Sequence, residues 1–305
     1  MPPTHFYMNY PMNTYSRNIL ITGGNGQLAQ AIINHPHGPH LVARAYTHHE
    51  LDIGDLSSIE YRFNEFEPHI VINTAAYTAV DRAEEEKEEA VRVNHVGAQN
   101  IAMACKNAQI PLIHLSTDYI FNGNKTSAYN EKDPSHPINN YGLSKWLGEE
   151  AVRDYGGNAI ILRVSGVFSE YGHNFFKTML RLAQEKKELQ VVCDQVTCPT
   201  YAGDIAAVLL TMAQDPKEWG TYHFCSALST SWYQFALAII EEARRNKLFS
   251  LAEIKPILTA NYPTLAKRPA HSVLKCEKLF KAYGIKQPSW EEGIKKAYQG
   301  LLTHA

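Results

Sequence analysis

Short apolar runs alternate with amphipathic stretches through the first half of this sequence. The runs are rich in β-branched residues, which favours buried strands, and the stretches between them repeat apolar residues at helical intervals. The predicted strands are 18–22, 40–46, 69–73, 111–116 and 159–164. The predicted helices are 27–34, 56–66, 83–105 and 137–154, with one break near Asn94. Strands that alternate with helices imply a parallel sheet, and right-handed crossovers make it doubly wound.

The alternation weakens after about Val167. Residues 175–185 and 232–246 have the spacing of amphipathic helices, and the proline-rich stretch 256–269 is expected to be extended. The sequence therefore predicts an α/β fold, with a smaller lobe that is mainly C-terminal. The expected divisions are a disordered tail (1–16), a first domain (17–168, with returning segments at about 200–225) and the lobe (169–305).

Composition narrows the classes of partner and compartment. The formal net charge is only -2, so nothing attracts nucleic acid or anionic membrane surfaces at long range. No apolar run approaches the roughly 20 residues that span a bilayer. The five cysteines are odd in number, show no disulfide or zinc spacing, and are expected to be free thiols in the cytoplasm. The histidines between residues 35 and 49 lack other ligands at metal-binding spacing, so no metal site is expected.

A glycine-rich turn follows the first predicted strand. Gly23, Gly24, Gly26 and Ala29 satisfy the spacing G-x-x-G-x-x-A between a strand and a helix. Glycines let the backbone approach a pyrophosphate closely, and the helix N-terminus offers free N–H groups to the phosphates. The turn therefore predicts a Rossmann-type, NAD(P)-binding first domain in which Gly23 and Gly26 contact the cofactor.

The second predicted strand bears on the choice of cofactor. NAD-preferring sites usually carry an acid at the end of this strand, but here the next acids are Glu50 and Asp52. Arg44 is instead available to pair with the 2′-phosphate of NADP. We expect NADP(H), with NAD(H) as the alternative, and we expect Asp52 and Ile53 to flank the adenine.

Tyr141 and Lys145 are four residues apart in a predicted helix and so share one face. A tyrosine with a pKa of about 10 is a poor acid near neutrality, and a nearby ammonium lowers that pKa. Thr117 lies at the end of the fourth predicted strand, where a doubly wound sheet opens its ligand crevice. The three side chains suit ketone reduction, in which the carbonyl carbon receives a hydride and the oxygen receives a proton. The lysine is also placed to hold the nicotinamide ribose.

Further runs of sequence carry a resemblance to a known family. They are 26–28, 73–81, 115–121, 139–145, 194–195 with 199–200, and 262–264 with 268–269. Together with the glycine turn and the Tyr-x-x-x-Lys pair, they resemble the dTDP-4-dehydrorhamnose reductase family of extended short-chain dehydrogenase/reductases. The likeness extends from about Arg17 to the end of the chain.

The resemblance implies an activity, a substrate and a set of site residues. The activity is reduction of the C4 ketone of dTDP-4-dehydro-L-rhamnose to dTDP-L-rhamnose, which supplies rhamnose for bacterial surface polysaccharide. The implied catalytic set is Thr117, Tyr141 and Lys145, with Thr117 and Asp118 facing the sugar of the dTDP-sugar substrate. The implied cofactor contacts are Gly26, Gln27, Leu28, Ala75, Ala76 and Thr78. A homodimer is a further expectation.

One position departs from the family pattern at the expected substrate site. Gly166 stands where that family usually has a tryptophan that packs on the sugar. One alternative is therefore a related nucleotide-sugar epimerase, or a 4-keto-sugar reductase that acts on a different sugar. The alternative of another class is a non-catalytic, nucleotide-binding regulatory subunit. Such subunits often lack the tyrosine or the lysine, whereas Tyr141 and Lys145 are both present.

Overall fold

Strands and helices alternate along the chain in the computed structural model, which describes residues 16–38, 40–246 and 252–303. The strands are β1 (Arg17–Thr22), β2 (Leu41–Tyr46), β3 (Ile70–Asn73), β4 (Leu112–Thr117), β5 (Ala159–Val164), β6 (Val167–Phe168), β7 (Glu188–Val192), β8 (Val196–Thr197), β9 (Thr200–Tyr201), β10 (Gly220–Phe224), β11 (Thr230–Ser231) and β12 (Glu253–Ile257). The helices are α1 (Gln27–Asn34), α2 (Leu56–Phe66), α3 (Lys87–Val91), α4 (Gly97–Asn107), α5 (Asn140–Tyr155), α6 (Phe175–Glu185), α7 (Ala202–Gln214), α8 (Trp232–Arg245), α9 (Glu277–Tyr283) and α10 (Trp290–Thr303). The predicted tail lies outside the described residues, apart from Ser16.

The central sheet has six parallel strands in the order β10-β5-β4-β3-β1-β2. One apolar core, which includes α1 and α7, covers one face, and a second core with residues of α2, α4 and α5 covers the other. A sheet that is buried on both faces explains why its strands read as nearly continuous apolar runs. The predicted doubly wound, Rossmann-type fold is confirmed. The strand order reverses between β1 and β3, and a ligand crevice forms at such a point.

The long helical region predicted at 83–105 is interrupted where the sequence indicates a break. It consists of a 3-10 turn, α3, a π-helical turn (Arg92–Val96) and α4. The π turn contains the buried side chain of Asn94, which exchanges hydrogen bonds with the Tyr77 backbone at 2.9 and 3.0 Å. The same amide donates to Ser144 Oγ at 2.9 Å. Asn94, at the break, therefore links the loop after β3 to helix α5 through hydrogen bonds.

The second half of the chain builds a lobe with its own apolar core. Helices α6, α8 and α10 pack together with the parallel pair β7–β12. The chain also returns to the central sheet, where β10 pairs with β5 and α7 packs against α1. The stretch predicted to be extended at 256–269 is only partly so, because a 3-10 turn (Thr259–Asn261) follows β12. The proposed division at residue 168 stays a prediction. In the described part of the chain, no helix has the length and apolar character needed to cross a membrane.

A buried ion pair joins helix α5 to strand β5. Arg163 donates from Nε and Nη2 to the two carboxylate oxygens of Glu149, at 2.8 and 2.6 Å. The same carboxylate accepts hydrogen bonds from Ser116 Oγ at 2.5 Å and from Arg153 Nη2 at 2.7 Å. Burial raises the pKa of Glu149, but the hydrogen bonds and charges of these partners outweigh it and lower the pKa to about 2. The pair fixes α5 against the sheet.

Replacing Arg163 with Met removes the main partner of a buried carboxylate. We expect the free energy of unfolding to fall by about 3 kcal/mol, because Glu149 is left without its bidentate partner. Urea denaturation at neutral pH measures the change. The exposed pair Arg181–Glu185 provides the control, since Arg181→Met should cost less than about 1 kcal/mol. Equal losses in the two variants would contradict the anchoring role of the buried pair.

Candidate active site

A cavity of about 730 Å³ opens at the carboxyl ends of β1, β3, β4 and β5. Its wall comes from the turns after these strands, the start of α5 and the first residues of α6 and α8. The residues predicted for the site that line it are Gly23, Gly26, Gln27, Leu28, Asp52, Ile53, Ala75, Ala76, Thr78, Thr117, Asp118, Tyr141, Lys145 and Gly166. Predicted cofactor and substrate residues therefore share one space.

The turn after β1 has the shape of a phosphate cradle. Gly23 has a φ of +72°, and a Cβ there would lie 2.8 Å from Ala75 Cα, so only glycine fits. Gly26 is the N-cap residue of α1 and donates its N–H to the Gly23 carbonyl at 2.8 Å. The first turn of α1 contains no acidic residue that would repel an anion. The backbone here fits the pyrophosphate of a dinucleotide.

The side chain of Gln27 links this turn to the C-terminal lobe. Its Oε1 accepts hydrogen bonds from Ser169 Oγ and from Asn174 Nδ2, both at 3.1 Å. Its Nε2 donates to the Val167 carbonyl at 3.4 Å. Because the amide is engaged on both sides, the side chain serves to set the lobe against the glycine turn.

The end of the cavity near Asp52 contains an arginine that sequence reasoning missed. Arg92 lines the cavity, contacts Asp52 Oδ2 at 3.3 Å and forms a two-point pair with Glu89 at 2.8 and 2.9 Å. Nothing in the local sequence indicated Arg92, because the fold brings the π turn to this crevice.

The predicted cofactor residue Arg44 does not line the cavity. It lies 3.6 Å from a carboxylate oxygen of Glu65, with its guanidinium over the Tyr46 ring.

The start of α5 brings Tyr141 and Lys145 to the end of β4. Asn139 caps the helix by accepting the Gly142 N–H at 2.7 Å. Lys145 is buried, and its Nζ donates to the Leu115 carbonyl at 2.6 Å. Thr117, the last residue of β4, makes a hydrogen bond with the Tyr141 hydroxyl. The structure therefore places the three side chains together, as the sequence predicts.

The pKa of Tyr141 moves in the direction opposite to the one expected. Burial raises it to about 12, and the hydrogen bond with Thr117 opposes this only in part. The expectation of a lowered pKa was wrong, because burial outweighs the interactions that favour the phenolate. The Lys145 ammonium donates to the Leu115 carbonyl. Burial in turn lowers the pKa of Lys145 to about 8. At neutral pH the phenol is protonated, which is the form that donates a proton.

Asp118 lies beside this group in a network of hydroxyls. Ser165 Oγ donates to its Oδ2 at 2.8 Å, and Thr117 Oγ1 donates to its Oδ1 at 3.1 Å. Burial raises the pKa of Asp118 to about 6, against the hydrogen bonds from Ser272 and the other hydroxyls. The carboxylate is at the cavity wall and is a strong acceptor for a substrate hydroxyl.

Gly166 lies in the cavity wall with a φ of +53°. A Cβ there would lie 3.0 Å from Pro199 Cα, so a large side chain would be strained in this backbone conformation. Two aromatic residues that were not predicted, Phe175 and Trp232, line the cavity from the lobe. Their positions at helix starts in the lobe gave no sequence signal for a site.

The comparisons with known proteins agree on one family. Residues 17–303 match the family model described as RmlD substrate binding domain. A dTDP-4-dehydrorhamnose reductase of Aggregatibacter actinomycetemcomitans is 42% identical over 285 residues, which cover 91% of this chain and 97% of that protein. One of Sinorhizobium fredii is 39% identical over 293 residues, with coverages of 93% and 97%.

A solved structure from the same family has the same fold as this chain. The crystal structure of a dTDP-4-dehydrorhamnose reductase from Bacillus anthracis in complex with NADP superposes with a TM-score of 0.88 at 34% identity. That match covers 93% of this chain and 99% of that chain. The sequence identity extends over nearly the full length of each relative, and the fold is the same. This chain belongs to the dTDP-4-dehydrorhamnose reductase family.

Proposed function

We propose that this protein reduces the C4 ketone of dTDP-4-dehydro-L-rhamnose to dTDP-L-rhamnose with NADP(H). The observation that carries the proposal is that Thr117, Tyr141 and Lys145 line the same cavity as the glycine turn. A proton donor and a dinucleotide cradle therefore face one space. Relatives that carry the name of this activity over nearly their whole length support the choice of substrate.

Each catalytic side chain has a distinct task in this proposal. The bound nicotinamide supplies the hydride for C4. The protonated phenol of Tyr141 donates its proton to the ketone oxygen, while the Thr117 hydroxyl holds that oxygen by a hydrogen bond. The Lys145 ammonium holds the nicotinamide ribose through charge-assisted hydrogen bonds. The Asp118 carboxylate accepts a hydrogen bond from a hydroxyl of the sugar.

The cofactor contacts follow from the shape of the cavity. Gly23, Gly26 and the first turn of α1 hold the pyrophosphate through backbone N–H groups. Asp52 and Ile53 line the end assigned to the adenosine. NADP(H) is proposed over NAD(H) because the Bacillus anthracis relative was solved with NADP. A role for Arg44 stays a prediction, as do the homodimer and the cytoplasmic location.

Replacing Tyr141 with Phe removes the proton donor and keeps the ring. We expect kcat to fall by about 10²- to 10⁴-fold while the Kd for NADPH stays unchanged. Loss of NADPH absorbance with dTDP-4-dehydrorhamnose as substrate measures the rate. Tyr155→Phe is the matched control, since this tyrosine lies on the same helix with 41% of its surface exposed. The proposal fails if the parent protein consumes no NADPH with this sugar but turns over another 4-keto sugar.

The activity should fall at alkaline pH because Lys145 must be charged. Its folded pKa of about 8 is below the ordinary value of 10.5, so its charge is lost as pH rises through about 8. We expect kcat/KM to decline with an inflection near this pH, while Tyr141 is still protonated. In Lys145→Arg, which retains a charged group, residual activity should be flat from pH 7 to about 9. An inflection near pH 8 that persists in Lys145→Arg would assign it to another group.

A further inference from the structure

We propose that Arg268 is a positioning residue for catalysis, which acts through Tyr119 to orient the phenol of Tyr141. Arg268 is not among the residues that line the cavity, so an effect on the reaction must pass through other side chains. The inference rests on the proposed function, in which Tyr141 is the proton donor, and adds a residue that controls the orientation of that donor. The sequence alone assigned no role to Arg268.

Arg268 is held in one orientation by a two-point ion pair. Its Nη1 donates to Asp81 Oδ1 at 3.1 Å, and its Nη2 donates to Asp81 Oδ2 at 2.7 Å. Nη1 also donates to the Ala266 carbonyl at 3.2 Å, and the Ala266 N–H donates to Asp81 Oδ1 at 3.1 Å. Only 21% of the Arg268 side chain is exposed. A guanidinium that meets a carboxylate at two points has a defined geometry as well as a favourable energy.

One aromatic ring connects this guanidinium to the proton donor. Arg268 donates a hydrogen bond to the hydroxyl of Tyr119, which lines the cavity. The Tyr119 ring meets the Tyr141 ring edge to face, with the centroids 5.7 Å apart and the planes inclined by 72°. This is a favoured arrangement of aromatic pairs, so a displaced Tyr119 ring would disturb the ring of Tyr141. Arg268 therefore fixes one end of Tyr119, and the other end packs on the donor.

The segment that carries Arg268 also holds the backbone at the start of α5. The Lys267 carbonyl accepts a hydrogen bond at 2.7 Å from the side chain of Asn139, which caps this helix. A Cβ at Gly142 would overlap the Tyr119 carbonyl oxygen, so the backbone next to Tyr141 packs directly on Tyr119. Tyr141 lies in the first turn, whose N–H groups have no intrahelical acceptors. Its orientation therefore depends on contacts from outside the helix.

Proton donation makes the orientation of Tyr141 matter. The phenol must come within hydrogen-bond reach of the ketone oxygen. Thr117 holds the hydroxyl by a hydrogen bond, whereas Tyr119 holds the ring. A misplacement of about 1 Å can cost about 10²-fold in rate. Loss of Arg268 should therefore lower kcat and leave the binding of sugar and cofactor nearly unchanged.

Steady-state kinetics of Arg268→Met with NADPH and dTDP-4-dehydrorhamnose test this role. We expect kcat to fall about tenfold, while the KM for the sugar and the Kd for NADPH stay within about twofold. Tyr119→Phe removes only the hydroxyl that accepts the hydrogen bond, so it should give a similar fall, and the double variant should be no slower than either single variant. Arg82→Met is the matched control and should leave kcat unchanged. Arg82 follows Asp81 in the chain but pairs with Glu86, with 67% of its side chain exposed.

The decisive comparison introduces Arg268→Met into a Tyr141→Phe background. A residue that acts only by orienting the Tyr141 phenol loses its effect once the hydroxyl is gone, so kcat should then change by less than about twofold. An equal fall in both backgrounds overturns the proposal, because the arginine then acts elsewhere in the site or on the fold as a whole. A raised KM with an unchanged kcat in the parent background also overturns it.

A signal from the ring itself separates this proposal from the proposed function. In protein whose tyrosines are labelled at Cζ for NMR, the Tyr141 resonance is the one that Tyr141→Phe removes. We expect Arg268→Met to shift this resonance in the NADP⁺ complex, and Arg82→Met to leave it in place. A resonance that Arg268→Met does not move overturns the positioning role. Failure of the parent protein to reduce dTDP-4-dehydrorhamnose overturns the proposed function instead, and the resonance still decides whether Arg268 orients Tyr141.

Discussion

The pairing of Glu149 with Arg163 is the contact on which the site depends. Tyr141, Lys145 and Glu149 follow one another at intervals of four residues, so they lie along one face of α5. Because Arg163 on β5 holds the third of these residues, the rotation of the helix is fixed. The first two residues are thereby directed at the end of β4, where Thr117 meets them. Glu149, which fixes the helix, and the catalytic residues Tyr141 and Lys145 therefore lie on one face of α5.

Burial on this face also sets the protonation states. It raises the pKa of Tyr141 and lowers that of Lys145, so each group is shifted toward its neutral form. For a reductase the first shift is useful, because the phenol arrives at the ketone with its proton in place. The second shift limits the pH range in which the lysine is charged. The carboxylate of Glu149 remains ionised in spite of burial because Arg163 pairs with it.

The features that could be predicted from the sequence are those that depend on nearby residues. The bounds of α1, α2, α6 and β5 match the predictions, and Thr117, Tyr141 and Lys145 were found from spacing and strand ends. Arg92, Phe175 and Trp232 were missed because the fold brings them to the cavity from distant segments. The direction of the Tyr141 pKa was missed because burial sets it, and residue spacing does not show how deeply a side chain is buried. Helical spacing does place Lys145 on the same face, where its ammonium donates to a backbone carbonyl.

The central claim is that this cavity delivers a hydride to C4 of a dTDP-4-keto sugar. The most direct measurement uses NADPH deuterated at C4 of the nicotinamide, on the transferred face, with dTDP-4-dehydro-L-rhamnose as substrate. Mass spectrometry and proton NMR of the product locate the label. The account predicts one deuterium per product molecule, at C4 of dTDP-L-rhamnose. A product without deuterium at C4, or an epimerised 4-keto sugar formed with no consumption of cofactor, would contradict it.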